Sequence, residues 1–404
     1  MSTSLLYHAW GLRGYRLEAT DFAEGATVFR VRQNDDTLCC GHCGARNVMR
    51  QGVVVRRFRA LPIGHKPVWL ELPIQRLWCP KCNQTRQVKL AFADERRSYT
   101  HSFERYALDL GRHMTIQDVA QHLGVSWDVI KDIQKRYLLR RFAKPRLKHL
   151  RQIAIDEISI GRGQRFLTVV LDLESGAVVF VGEGRGTASL EPFWKRLRSS
   201  GAKVQAVATD MSPAYTLAVH DNLPKAIHVF DRFHVMMLFN EQLADLRREV
   251  QRSVEDVEQR RLLKGTLWLL LKNPENLNPK KNERQRLEDA LRINQPLATA
   301  YYMREDLREF WNQLLEPLAT RFLDDWIARA QASGIKMLQK FARTLQVHRT
   351  GLLNWYKFPI STGPLEGTNT KIRVLQRQAY GFRDREFFKL KIYALHETTY
   401  ALVG

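Results

Sequence analysis

The run Ile153-Ala-Ile-Asp-Glu-Ile-Ser-Ile160 is short, rich in isoleucine and almost wholly apolar, yet it carries a bare carboxylate at Asp156. An ionised acid inside a strand of this kind is costly unless something pairs with it, and a metal ion is an effective partner. The segments that follow read as the rest of a sheet. Phe166–Leu173 and Ala177–Gly182 are two more β runs, separated by the turn Glu174-Ser-Gly176. Thr187–Ser200 has helical spacing, and Val204–Thr209 is a buried strand ending at Asp210. Pro213–Val219 reads as a helical turn and Lys225–Phe233 as a fifth strand.

Three antiparallel strands followed by an αβαβ succession is the order of a ribonuclease-H-like sheet. Its first and fourth strands lie side by side and parallel, which brings Asp156 and Asp210 within reach of one ion. From residue 236 to about 355 the strand signals stop. Leu243, Leu246, Val250, Val254 and Val257 recur at spacings of three and four, the mark of an amphipathic helix. Further helices are expected near Leu262–Leu271, Glu283–Leu291, Glu305–Phe322 and Ile335–Val347, punctuated by Pro274, Pro279, Pro296 and Pro317. Ser361-Thr-Gly-Pro-Leu-Glu-Gly-Thr-Asn-Thr-Lys371 then opens another helix. Glu366 falls near its start, where a carboxylate is locally favourable. Asn369, Lys371, Arg373 and Arg377 follow at helical spacing, suited to gripping a phosphate backbone.

The chain has 404 residues, with 64 Lys and Arg against 42 Asp and Glu, a formal charge of +22. A surplus of that size points to a polyanion, nucleic acid before others. A ribosome-bound or membrane-surface protein, or a basic protein without such a partner, is the alternative. Met1–Trp10 lacks the basic start of a signal peptide, and the longest dense apolar run, Leu267–Leu271, is far shorter than a bilayer span. A soluble, intracellular protein with no membrane partner is expected.

All five cysteines lie between Cys39 and Cys82. In a reducing compartment such clustering argues for metal rather than disulfides. Cys40-Gly-His-Cys43 and Cys79-Pro-Lys-Cys82 are two C-x-x-C knuckles able to present four thiolates tetrahedrally to a structural Zn²⁺. A redox pair is the alternative, with no thioredoxin-like pattern to support it. Cys39 reads as a plain strand residue. A small β unit over residues 16–38 leads into the first knuckle, and Val53–Leu77 suits a few short strands.

Residues 103–140 are helical by pattern, and Ile116–Ile133 has a helix-turn-helix layout. Ala120 is small where two helices touch, Gly124 can take the left-handed turn, Ser126 can cap the second helix, and Ile130 and Ile133 supply its core face. An ordinary helical hairpin is the alternative. The second helix would present Ser126, Trp127, Asp128, Lys131, Asp132 and Lys135 to a major groove. Lys135–Arg151 carries eight Lys or Arg and no acid, Arg140, Arg141, Lys144, Arg146 and Lys148 among them. It reads as a phosphate-tracking linker, with a domain boundary near residue 150.

Asp156, Asp210 and Glu366 supply hard oxygen ligands suited to two Mg²⁺ (or Mn²⁺) ions. Two such ions about 3.5–4 Å apart activate an attacking oxygen and stabilise a leaving one in an in-line phosphodiester displacement.

With these residues the chain resembles the DDE transposases of the ISL-three family of bacterial insertion sequences over nearly its whole length. The likeness rests on Phe58-Arg-Ala-Leu-Pro-Ile-Gly64, Cys79-Pro-Lys-Cys82, Ile155-Asp-Glu157 and Ala208-Thr-Asp210, then on Phe230-Asp-Arg-Phe-His-Val235, Glu366-Gly-Thr-Asn369 and Ala379-Tyr-Gly-Phe-Arg383. Thr362 departs from the Asn of the family pattern. The resemblance implies that Asp156, Asp210 and Glu366 are the catalytic triad, with a helical block interrupting the fold before the last acid. It implies that Asp231 and His234 lie near the active site, as support for it or in a structural role, with Asn369 beside them. It also implies cleavage at the ends of a mobile element and attack of the freed 3′ hydroxyl on target DNA, by a homo-oligomer on double-stranded DNA in the cytoplasm, at the bacterial nucleoid.

The expected fold is a multidomain α+β chain. A zinc-ribbon-like β domain (1–92) precedes a helix-turn-helix domain with its basic linker (93–150). A ribonuclease-H-like α/β catalytic core (151–235) is interrupted by an all-α insertion (236–355) and ends with the segment carrying the third acid (356–404). A catalytically inactive DNA-binding regulator and a metal-dependent nuclease without strand transfer are the alternatives. Glu157, facing away from Asp156 on a strand, is expected to be structural.

Overall fold

The computed structural model describes residues 5–161, 163 and 165–396, which fall into two units divided between Ala143 and Lys144. The first four residues of the expected 1–92 domain and the last eight of the 356–404 segment lie outside the described residues.

In the first unit, helix α1 (Leu5–Trp10) precedes a hairpin of β1 (Tyr15–Ala23) and β2 (Ala26–Gln33). A second hairpin pairs β3 (Met49–Ile63) with β4 (Lys66–Cys79), and β5 (Gln84–Gln87) adds to β4. The sheet runs β1-β2-β4-β3. The few short strands expected between the knuckles are instead two of 15 and 14 residues. Val68, Leu70, Leu72 and Ile74 alternate without a break and bury one face against Leu6, Trp10, Phe29 and Phe58, so nothing interrupts the ladder. Cys39 is not a strand residue; it lies in the loop entering the first knuckle.

Helices α2 (His101–Leu110), α3 (Ile116–Leu123) and α4 (Trp127–Phe142) follow. Thr115 and Asp118 form a reciprocal capping box at the start of α3. Gly124 ends it at φ 62°, the left-handed conformation its position requires. Ser126 occupies the N-cap of α4 but makes no side-chain capping bond. Lys135–Phe142 are the last two turns of α4 rather than linker, and the units divide at 143/144 rather than near 150. The buried Arg59 of β3 donates to the carbonyl of Leu123 at the end of α3 (2.8 Å), which ties sheet and helices into one body.

The second unit is built on a five-stranded sheet of order β10-β9-β6-β7-β8. It comprises β6 (Gln152–Gly161), β7 (Arg165–Asp172), β8 (Val178–Glu183), β9 (Ala206–Thr209) and β10 (Ile227–Phe230). The first three strands are antiparallel; β6 pairs β9 in parallel, and β9 pairs β10 likewise. This is the ribonuclease-H-like arrangement. Helices α5 (Thr187–Ser200) and α6 (Pro213–Asn222) connect the later strands. Ile153 and Ile155 pack on their side with Phe193, Trp194 and Tyr215.

After β10 come α7 (Arg232–Ser253), α8 (Val257–Gly265), α9 (Leu267–Leu271), α10 (Glu283–Ile293), α11 (Gln295–Arg308), α12 (Glu316–Ala332), α13 (Lys336–Val347) and α14 (Arg349–Leu353). They enclose their own core around Phe239, Trp326 and Phe341. The helix expected over Glu305–Phe322 is broken, because Pro317 has no N–H to continue an incoming helix and sits instead in the first turn of α12. Val257 does not extend the row of α7; it starts α8 and is exposed. Two last helices, α15 (Gly363–Gln378) and α16 (Arg385–Tyr393), return to the sheet. Leu365, Ile372, Phe388 and Ile392 cover its second face over Ala154 and Ile158.

Candidate active site

Strand alternation sends Asp156 to the face of β6 shared by Ala154 and Ile158, and Glu157 to the face of Ile153 and Ile155. On the Asp156 side lies α15. Asn369 Nδ2 donates to Asp156 Oδ2 at 2.9 Å, across 213 residues of chain. The other oxygen, Oδ1, accepts the backbone N–H of Glu157 at 2.7 Å. Asn369 is only 4% exposed, so it faces the strand and not a DNA backbone, whereas Lys371, Arg373 and Arg377 are open to solvent. Glu366 lies one turn before Asn369. Burial and the charges of Asp231 and Asp156 push its carboxyl up. Asp156 is pushed up by burial as well, with the charges of Asp210 and Asp231 adding to it and His234 opposing. The charge of Asp156 acts on Glu366, and α15, which carries Glu366, packs on β6 through Asn369.

Asp210 follows directly on β9, and its Oδ1 accepts the N–H of Ser212 at 3.0 Å. The buried Thr209 hydroxyl donates to the Asp210 carbonyl (2.6 Å) and lies 2.7 Å from Nε2 of His228 on β10. A hydroxyl has one proton to give, so Nε2 of His228 carries the hydrogen between them. Burial and the neighbouring His348 pull His228 down to about 4, which keeps it neutral. Glu157, on the opposite face, is pushed up by burial and by the charge of Asp210.

Asp231 leaves β10 and caps α7. Its Oδ2 accepts the N–H of Phe233 (2.9 Å) and of His234 (3.3 Å) and faces His234 Nδ1 at 3.3 Å. Its Oδ1 accepts the N–H of Thr362 at 2.9 Å, 131 residues later. The chain thus departs for the helical insertion and returns from it at one carboxylate. The contact uses the Thr362 backbone, so the departure from Asn at this position leaves it intact. Burial pushes Asp231 up, yet these donors hold it below the usual carboxylate range. Burial pushes His234 down, and the acids around it, Asp231 first, more than reverse this. Ligand atoms of Asp231, His234 and Glu366 all lie within 4.8 Å of one another. Both oxygens of Asp231 are already committed to N–H groups. Glu366 Oε1 and Asn369 Oδ1, by contrast, are buried with no hydrogen-bond partner. Unpartnered hard oxygens on Glu366 and Asn369, in a region where the charges of Asp231 and Asp156 raise Glu366, fit a divalent cation.

In the first unit the sulfurs of Cys40, Cys43, Cys79 and Cys82 form a second ligand group. Cys43 and Cys79 are 3.6 Å apart, Cys40 and Cys82 4.0 Å. A tetrahedron with Zn–S of about 2.3 Å has edges of about 3.8 Å, so the four fit a closed structural zinc site. On α4, Trp127 and Ser126 are exposed, and the Lys131 ammonium lies 5.2 Å from the Trp127 ring centre. Asp132 is not offered to a groove, because it is held by Arg97 (2.9 Å) and Arg136 (3.2 Å). Arg140, Arg141, Lys144, Arg146 and Lys148 are exposed. No helix among the described residues is long and apolar enough to cross a membrane.

Residues 153–392, more than half of the chain, match the family model for the ISL3 DDE transposase, described as transposase. The chain belongs to the ISL3 family of transposases. The helix-turn-helix domain of transposase family ISL3 matches residues 88–138, and the zinc-finger of the IS204/IS1001/IS1096/IS1165 transposases matches residues 36–82. This ISL3-family chain is 32% identical to the transposase for insertion sequence element IS1001 of Bordetella parapertussis, covering 98% of each. It is 30% identical to the transposase for insertion sequence element IS1557 of Mycobacterium tuberculosis, covering 91% of this chain and 88% of that one. The Drosophila P element transposase strand transfer complex aligns with a TM-score of 0.42 and 11% identity over 76% of this chain and 94% of that one, too slight a likeness to build on. For an ISL3-family transposase with a helix-turn-helix domain, DNA binding follows.

Two features of the site escape a reading of the sequence. An Asp followed by a helical pattern signals the N-cap role of Asp231, but nothing in its neighbourhood announces Thr362. No motif marks the His228–Thr209 pair behind Asp210.

Proposed function

We propose that this ISL3-family transposase binds the terminal inverted repeats of an insertion sequence, cleaves phosphodiester bonds at its ends and joins the freed 3′ hydroxyl to target DNA. Asp156, Asp210 and Glu366 are the residues that would hold the divalent cations, Mg²⁺ or Mn²⁺. When bound, two such ions supply activation of the attacking oxygen and charge relief at the leaving one. In cleavage, a water oxygen bonds to phosphorus and the 3′ oxygen leaves; in joining, that 3′ oxygen bonds to a target phosphorus and displaces the target's own 3′ oxygen. No side chain forms a covalent bond to DNA. Asn369 holds Asp156 in place, Asp231 and His234 support the site, and Lys371, Arg373 and Arg377 grip the backbone beside it. In the other unit, Ser126, Trp127, Lys131 and Lys135 read the groove, while Arg140, Arg141, Lys144, Arg146 and Lys148 follow the phosphates. Zn²⁺ on Cys40, Cys43, Cys79 and Cys82 has a structural role only. With the division between the DNA-binding and catalytic parts moved to 143/144, the remaining segment boundaries (after 92, 235 and 355), action as a homo-oligomer on two DNA ends, and residence at the bacterial nucleoid belong to the same proposal.

The observation that supports this proposal is the Asn369–Asp156 hydrogen bond, made one helical turn after Glu366 on α15. Incubating the purified protein with labelled element ends, a target plasmid and Mg²⁺ tests it. Cut ends and joined products are expected. Binding without cutting under any divalent cation would instead make the protein a regulator, and cutting without joining a nuclease.

A further inference from the structure

We infer that Tyr380 is a stacking platform for an unpaired nucleobase in the strand that leads away from the scissile phosphate. The inference rests on the proposed function, and it adds a base contact to a site so far described by carboxylates and phosphate grips.

Three observations converge on this residue. Tyr380 is 101% exposed, the most open large hydrophobic side chain among the described residues. Its backbone has φ 50°, a left-handed conformation seldom adopted outside Gly and Asn, at the position closing α15. The turn around it is anchored rather than loose. The N–H of Tyr380 donates to the Arg377 carbonyl (3.0 Å), and Phe382, two residues on, stacks on Phe388 with ring centres 4.6 Å apart. With Phe382 turned inward, the ring of Tyr380 is held outward. A strained backbone that leaves an aromatic side chain wholly in solvent is better suited to a partner than to the fold.

The helix supplies the direction. At 100° per residue, Arg373 and Arg377 fall within about 20° of Glu366 on the wheel of α15. Both arginines are exposed. At 1.5 Å per residue the row runs about 10 Å from Glu366 to Arg373, about 16 Å to Arg377 and about 20 Å to the turn of Tyr380. A strand whose reacting phosphate lies at Glu366 would pass two guanidinium groups and meet an aromatic face about six nucleotides away if helical, fewer if extended. A base inside an intact duplex has both faces covered by its neighbours. Away from a duplex terminus, the ring of Tyr380 can therefore serve only a base that is unpaired or extruded, the combination of cationic track and aromatic platform found where single strands are bound.

The test uses full-length protein and duplexes from the element end, fully paired or with the terminal bases unpaired, without divalent cation so that nothing is cut. Tyr380→Ala should weaken binding to the unpaired end on the order of tenfold, with little change on the paired duplex and an unchanged salt dependence. Tyr380→Phe, which keeps the ring, should bind as wild type. Arg377→Ala should weaken both duplexes and lower the salt slope by about one. 5-Iodouracil placed at successive positions should photo-crosslink to the peptide carrying Tyr380 at one or two adjacent positions. Unchanged binding and crosslinking by Tyr380→Ala, in a protein whose wild type cuts the ends when Mg²⁺ is added, overturns this inference alone. A wild type that neither binds nor cuts the ends overturns the proposed function with it.

Discussion

Asn369 donates a hydrogen bond to Asp156 from 213 residues further along the chain, and its own carbonyl oxygen is left buried without a partner. The bond fixes one oxygen of the first acid and the register of α15, hence of Glu366, against β6. Asn369→Ala is expected to lower end cleavage about 10- to 100-fold, the usual cost of losing a residue that orients a ligand, with DNA binding unchanged. Asn369→Asp, which sets a like charge beside Asp156, should do more harm. Wild-type cleavage rates in both variants would remove Asn369 from the site.

Replacing the first acid separates binding from chemistry. Asp156→Ala should bind terminal-repeat DNA with wild-type affinity but neither cut nor join it with Mg²⁺ or Mn²⁺. Retained cleavage, read on labelled ends, overturns the assignment of the acids.

Asp231 is expected to matter for stability before chemistry. Asp231→Ala strands the N–H groups of Phe233, His234 and Thr362 at a position 1% exposed. The expected loss is about 1–3 kcal/mol in denaturant unfolding, the cost of one buried donor without an acceptor, since the N–H of the fully buried Thr362 loses its partner while those of Phe233 and His234 are only partly buried. A variant as stable as wild type would show that Asp231 does not anchor the two ends of the insertion.

His228 gives the protein a defined acid sensitivity. Its folded value of about 4 lies below the usual 6.5. Between those values the unfolded chain binds a proton that the folded chain refuses, so stability falls as pH drops. The contribution of this residue amounts to about 2 kcal/mol lost between pH 7 and pH 5. Denaturant unfolding at the two pH values should show a smaller loss in His228→Gln, and equal losses would sink the assignment.

At the knuckles, Cys40→Ser or Cys79→Ser should lower the zinc content and loosen residues 36–90, visible by metal analysis and limited proteolysis. Full zinc in both variants would refute the four-thiolate site.

Local regularity was readable where one residue type recurs with a fixed period. The continuous apolar runs of β6 and β7 follow from burial on both faces of the sheet, and the three-four spacing of α7 from burial of one stripe, so the apolar residues alone carry the signal. The C-x-x-C pairs announced their four-sulfur group for a similar reason, since thiol spacing within a knuckle is a local matter. Local reading failed where a long-range partner intervened. Ser126 sits at an N-cap without capping, Asp132 is taken up by Arg97 and Arg136 instead of facing outward, and Asn369 turns inward to a strand.

By itself, then, the chain's order of residues determined the five strands of the second sheet and their order, the helix-turn-helix and the family to which it belongs, because these depend on periodicity and short motifs. Only the tertiary structure decided that Glu366 returns to Asp156, that Asp231 holds both ends of the insertion, and that Tyr380 stands outward at the end of an arginine row. Those relationships join residues separated by a whole helical block, or depend on which way a turn is pinned. No local pattern encodes them, because the free energy that selects them comes from packing and hydrogen bonds formed once the distant elements have met.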